Sequence, residues 1–258
     1  MKSISTSSFF LCSLLFISLL VSCNKGTGLE PTDKVNLEED LEMYFPFDGN
    51  STETITGVTY DTHGATYTDD RFNRPKSSLC FSKNYLNIDV GMGNSVGTFS
   101  FWVSVPDTRF QPNLFAKGNQ QLGVLRYGLR VSEGKVSLIS NRDRWGVDSI
   151  SYFDDLVTAS VIKPNKWHHI VVRWSDADEF VEIFVDNKLE ASASYLEGWR
   201  LVTEDEYEET ETMGAAWSYG GHDTGDYLSY FKGQVDELRR YNRRISDEEI
   251  EALYTIEE

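Results

Sequence analysis

The feature that most constrains this chain is a two-residue alternation of apolar and polar side chains, repeated in short segments after residue 40. Leu41, Met43, Phe45 and Phe47 alternate with Glu42, Tyr44 and Pro46, and Phe99, Phe101, Val103 and Val105 alternate with Thr98, Ser100, Trp102 and Ser104. Successive side chains of an extended strand point to opposite faces, so each apolar set turns one face toward a core. Further strands are predicted over 78–81, 85–90, 113–116, 122–131, 135–140, 167–174, 180–185, 188–194 and 231–241. Asp186-Asn187 is a tight-turn signal that makes 179–194 a hairpin. The one helix signal comes last. Ser246 and Glu249 form a capping box, Asp247, Glu248 and Glu249 oppose the helix dipole, and Ile250, Leu253 and Tyr254 make an apolar stripe. Many short strands with turns between them predict an all-β sandwich or jelly roll carrying one short C-terminal helix.

The first residues do not share this pattern. Lys2 precedes an apolar run over 9–21 that is short for a bilayer span and lacks a basic stop-transfer cluster, so it reads as the core of a signal peptide. It ends in Leu20-Val21-Ser22-Cys23, which resembles the lipobox of bacterial lipoproteins. The resemblance implies cleavage before Cys23 and a lipid on its thiol: Ser22 is small, Leu20 is apolar, and only a thiol takes a thioether-linked diacylglycerol. Residues 1–22 are then a lipoprotein signal peptide and 23–38 a lipidated flexible tether, with one domain over 39–258. A coil of the tether's length spans roughly 20 Å. Asn24, where an Asp would retain such a protein at an inner membrane, favours the outer membrane or cell surface. With Cys12 removed and Cys23 lipidated, Cys80 has no partner and no disulfide framework exists. In Leu79-Cys80-Phe81 it reads as a small buried strand residue. The net charge of −17 argues against a nucleic-acid partner and against a peripheral hold on anionic lipid.

Four stretches resemble, in order, the LamG-like jelly-roll modules of the concanavalin A-like lectin/glucanase superfamily. They are Leu41-Glu42-Met43-Tyr44-Phe45-Pro46-Phe47-Asp48-Gly49-Asn50, then Gly97-Thr98-Phe99-Ser100-Phe101-Trp102-Val103, then Trp167-His168-His169-Ile170-Val171-Val172 with its following hairpin, and last the stretch from Gly233 to Arg243 with the Ser246 helix. The resemblance covers almost the whole chain after the tether and implies a two-sheet antiparallel jelly roll. It does not name a ligand, because one fold hosts many functions. It also implies a candidate structural calcium ion where the first and last strands meet, with Asp48, Asn50 and Asp236 in the matching stretches. The loop Ser51-Thr52-Glu53-Thr54-Ile55-Thr56-Gly57 departs from the Asp/Ser/Gly/Asn cluster usual there. Residues 199–212 look like an insertion rich in carboxylates (Glu204, Asp205, Glu206, Glu208, Glu209 and Glu211), expected to be a solvated loop.

Several constellations bear on chemistry. Glu38-Glu39-Asp40-Leu41-Glu42 matches the E-x-D-x-E spacing of glucanases in the superfamily, where carboxylates on one strand face flank a glycosidic bond. It falls at the tether edge rather than in a central strand, and no catalytic residue is assigned. His168 and His169 are strand neighbours pointing to opposite faces, so they do not chelate one ion. Sugar rings stack on aromatic side chains while polar neighbours hold their hydroxyls. Two loops combine these residue types: Asp143, Arg144 and Trp145 in one, Trp217, Tyr219 and Asp223 in the other. Trp102 and Trp174 stand at strand positions and are expected to pack in the core or on the concave face. The expected function is non-catalytic binding of extracellular carbohydrate by a lipoprotein anchored in the cell envelope. A protein-binding adhesion module and a glycoside hydrolase are the two alternatives.

Overall fold

The structure is a computed structural model that describes residues 35–88, 95–109, 111–119, 124–141, 153–194, 210–217 and 228–256. The strands are β1 (Leu41–Phe45), β2 (Thr66–Thr68), β3 (Ser78–Phe81), β4 (Leu86–Asn87), β5 (Val96–Ser104), β6 (Phe115–Asn119), β7 (Val124–Ser132) and β8 (Lys135–Asn141) in the first half. They continue as β9 (Phe153–Val157), β10 (Trp167–Ser175), β11 (Phe180–Val185), β12 (Lys188–Ser194), β13 (Thr210–Met213), β14 (Ala215–Trp217), β15 (Leu228–Tyr230) and β16 (Gly233–Tyr241), before helix α1 (Asp247–Thr255). An eight-stranded antiparallel sheet runs β12-β11-β10-β5-β16-β3-β2, with β1 also paired to β16. A six-stranded sheet runs β4-β13-β6-β7-β8-β9, and β14 and β15 form a small pair of their own. The protein is nearly all-β, a two-sheet jelly-roll sandwich with one short C-terminal helix.

The core lies between the two large sheets, and the alternation explains which residues fill it. Phe99, Phe101 and Val103 of β5 meet Ile170, Val172 and Trp174 of β10 and Phe115, Leu129 and Leu138 of the opposite sheet. Phe115 stands edge-on to Phe99 and Phe101 at 4.7 and 5.1 Å between centroids. Each such ring contributes about 1.5–3 kcal/mol by leaving water, so this cluster outweighs any surface pairing in setting the fold. Gly97 has to be a glycine, because a Cβ there would sit 2.5 Å from the Trp174 ring. The β11–β12 hairpin closes through Asp186 and Asn187, both at positive φ (50° and 61°), as a two-residue turn of matching twist requires.

Two sequence expectations are corrected. Leu41 was expected beside Met43, Phe45 and Phe47, but the register of β1 on β16 shifts between Leu41 and Met43, and Leu41 packs on a second apolar cluster outside the sandwich. That cluster holds Val171, Phe184, Tyr241, Ile245, Ile250 and Leu253, where α1 covers the outer face of the eight-stranded sheet. Leu37 packs there too, and its carbonyl accepts from the Tyr241 hydroxyl at 3.0 Å. Glu211, expected in a solvated acidic loop, lies in β13 and is buried. The remaining acids of that run lie outside the described residues. β2, β9, β13, β14 and β15 had no counterpart among the predicted strands. Trp174 is in the core as expected.

Candidate functional site

Strand register places the loop-bearing end of the six-stranded sheet. Asn119 pairs with Val124, Gly118 with Thr210, Asn141 with Phe153, and Thr212 with Asn87. From these pairings, connections 89–94, 120–123, 142–152 and 195–209 all leave the sheet at one end. Beneath that end the Tyr127 hydroxyl donates to Glu211 Oε1, both groups being buried. The pair ties β7 to β13 and gives the loop bases a fixed floor. After Gly214, β14 lies against β6 and β7, and Trp217, its last residue, pairs with Leu228 of β15. Of the sugar-contact candidates, Asp143, Arg144, Trp145, Tyr219 and Asp223 lie outside the described residues, as does Cys23. Trp217 is placed by its backbone alone.

Of the residues named for a cation, Asp236 lies on the other sheet, and Asp48 and Asn50 lie in the turn after β1. Asp236 of β16 is fully buried, and its Oδ2 accepts from Arg71 Nη1 at 2.6 Å, while Oδ1 has no hydrogen-bond partner. Burial and the neighbouring Glu237 carboxylate push the Asp236 carboxyl up to about 8, against the lowering pull of Arg71. Asp48 and Asn50 are exposed turn residues. Asn50 Oδ1 accepts from the Thr52 N–H at 2.8 Å, and its Nδ2 donates to the Asp48 carbonyl at 3.1 Å. The loop that follows is organised by a buried acid. Glu53 Oε1 accepts from the Tyr44 and Ile55 N–H groups, and Oε2 from the Thr56 N–H and hydroxyl, at 2.5–2.9 Å. Burial opposes ionisation of Glu53, but these four donors outweigh it and hold its pKa below the usual value.

Sequence reasoning missed a polar and aromatic cluster on the outer face of the eight-stranded sheet. Trp102 of β5 stacks on Tyr254 of α1 (5.7 Å, 13°), lies 5.1 Å from the His169 ring and carries the Arg71 guanidinium at 4.9 Å. His169 Nε2 is 2.8 Å from the Ser100 hydroxyl, and Nδ1 is buried without a partner. Alternation had put Ser100 and Trp102 opposite Phe99, Phe101 and Val103, but nothing local told that His169, α1 and Arg71 would join them. His168 points the other way, as expected, and is bonded to Asp186 Oδ2 and to the Lys163 N–H. The E-x-D-x-E carboxylates do not share a strand face: Glu38 and Asp40 precede β1, Asp40 at φ 52°, and Glu42 pairs with Arg240.

Two packed antiparallel sheets, one covered by a terminal helix and the other carrying four connections at one end, define a jelly-roll module of the lectin type. The chain belongs to the concanavalin A-like lectin/glucanases superfamily, whose Laminin_G_3 profile matches residues 82–251. Among solved structures, domain 4 of AbnA, a GH43 extracellular arabinanase from Geobacillus stearothermophilus, in complex with arabinotriose, superposes with a TM-score of 0.62 at 15% identity. The match covers 84% of this chain and 98% of that one. The binding domain of Paraclostridial Mosquitocidal Protein 1 matches at 0.55 and 15% identity, over 83% of this chain and 52% of that one. The binding domain of botulinum neurotoxin DC in complex with SialylT matches at 0.53 and 8%, over 83% and 50%. A comparison with the curated proteins gives no match.

Proposed function

We propose that this protein is a non-catalytic binding module that holds an extracellular carbohydrate while a lipid on Cys23 keeps it at the cell envelope. The observation that carries the reading is the correspondence with almost the whole of AbnA domain 4, a domain described in complex with arabinotriose. The clustering of four connections at one end of the six-stranded sheet supports it, because loops fixed to a rigid sheet are where binding residues concentrate. Trp145 and Trp217 supply ring faces, and Asp143, Arg144, Tyr219 and Asp223 supply donors and acceptors for hydroxyls. The non-catalytic part rests on the carboxylates of glucanase-like spacing, which β1 does not gather on one face. A protein partner is the second reading, favoured by exposed Val157, Val161 and Leu189 flanking the Ala159–Glu190 backbone bond.

A glycan array probed with a soluble form beginning at residue 24 tests the proposal. Binding to one class of oligosaccharide is expected, with a loss of roughly tenfold or more for Trp145→Ala or Trp217→Ala, since stacking of this kind is worth on the order of 1–2 kcal/mol. No glycan bound, together with a stable protein partner, would establish the second reading. Release of reducing ends from the bound glycan would make the protein a hydrolase.

A further inference from the structure

We propose that the Arg71 guanidinium is a built-in replacement for a bound calcium ion on Asp236, so that β16 is held to the segment between β2 and β3 without metal. The inference is independent of the carbohydrate reading. It starts from the candidate ligands Asp48, Asn50 and Asp236. A calcium ion needs six to eight oxygens around it, and the carboxylates among them have to be ionised.

Asp236 is the one fully buried carboxylate of the three, and a resident cation is already on it. Arg71 Nη1 lies 2.6 Å from Oδ2, with the Arg71 side chain 5% exposed. The guanidinium is packed at 4.4 Å from the Phe72 ring centroid and 4.9 Å from that of Trp102, which fixes it over the strand. Among the described residues its Nη2 has no hydrogen-bond partner, and neither has Asp236 Oδ1. Asn50 Oδ1 is committed to the Thr52 N–H, and Asp48 is exposed. The work of ordering the loop falls to Glu53, whose carboxylate collects three backbone N–H groups and the Thr56 hydroxyl from within the chain. Among the described residues no group of three or more His, Cys, Asp or Glu is placed to hold a metal. Arg71 thus supplies the positive charge on Asp236 and Glu53 separately orders the loop after β1, the two tasks an ion would perform together.

The test is calorimetry on the whole purified chain, first stripped with a chelator and then titrated with calcium chloride. The expected result is no binding heat and the same Tm in chelator and in calcium. A calcium-dependent rise in Tm would overturn the proposal. Arg71→Met should lower Tm by roughly 5 °C, because it takes the hydrogen-bond partner from the fully buried Asp236 carboxyl. Adding Asp236→Asn to it should recover part of that loss, and a double variant no better than the single one would also overturn the proposal. If Arg71→Met does not fold, Arg71→Lys takes its place, and the unaltered chain's response to calcium still decides.

Discussion

His169 sits in the middle of β10 with Nε2 on the Ser100 hydroxyl and Nδ1 bonded to nothing. Burial pulls its pKa from 6.5 down to about 3; Asp186 pulls it back up, and Arg239 and Arg71 push it further down. The rings of Trp102 and Tyr254 lie beside the imidazole, which is buried. The unfolded chain therefore takes up a proton between pH 6.5 and about 3 that the folded chain refuses. His169 contributes stability above pH 6.5 and loses it as pH falls through that window, by up to about 1.4 kcal/mol per pH unit. Urea unfolding from pH 7 down to 4 should show the native chain losing stability relative to His169→Gln. A constant difference would remove the assignment. Asp236 has the opposite sign, since its raised pKa gives stability below about 4 that is lost as pH rises through about 8. The sequence showed that His168 and His169 point to opposite faces, because that follows from strand period alone. It could not show the charge partner of Asp236, because Arg71 approaches from 165 residues away along the chain.

At the scale of elements, legibility tracked local pattern. The strongly alternating β5, β10 and β11 were found almost to their ends, and α1 was found from its capping box. The box is formed: Ser246 Oγ accepts from the Glu249 N–H at 3.2 Å, and Glu249 Oε2 accepts from the Ser246 N–H at 2.7 Å. Glu249 is also clasped by Arg243 at 2.5 and 2.8 Å, so the cap fastens the helix to the end of β16. Ser246→Ala should cost about 1 kcal/mol in chemical unfolding, the ordinary value of a cap. A cost near zero would mean that apolar docking of Ile250 and Leu253 alone seats the helix. The elements that were missed are short or polar. β2 is three residues, and β13 carries Glu211 inward to the Tyr127 hydroxyl. Such a strand exists because neighbours pair with it, and its own sequence says little about that. Leu41 was misplaced for a related reason, since one register shift turns a side chain to the other face.

For the molecule as a whole, residues 35–258 form one compact unit, and the sandwich was readable because its core rests on short-range alternation. The candidate sugar-binding residues were chosen by composition, since loops carry no period. Register then placed the base of the loop bearing Asp143, Arg144 and Trp145 without bearing on what that loop contacts. The anchor is testable at this scale. Expressed in a bacterium, the chain should fractionate with membranes, and Cys23→Ser should move it to the soluble exported fraction. Retention of the variant on membranes would remove the lipid from the account.

The Leu37 contact has a mechanical consequence in the tethered arrangement proposed. Tension arriving along the tether meets Leu37 first, whose carbonyl is held by the Tyr241 hydroxyl, and then β1. β1 is bonded along β16, which is bonded in turn to β5. A pull from the membrane is thereby delivered into the middle of the eight-stranded sheet, while β12 and β2, at its margins, carry little of the load. To peel the domain open from its tether, force has first to strip β1 from β16, its one partner among the described strands.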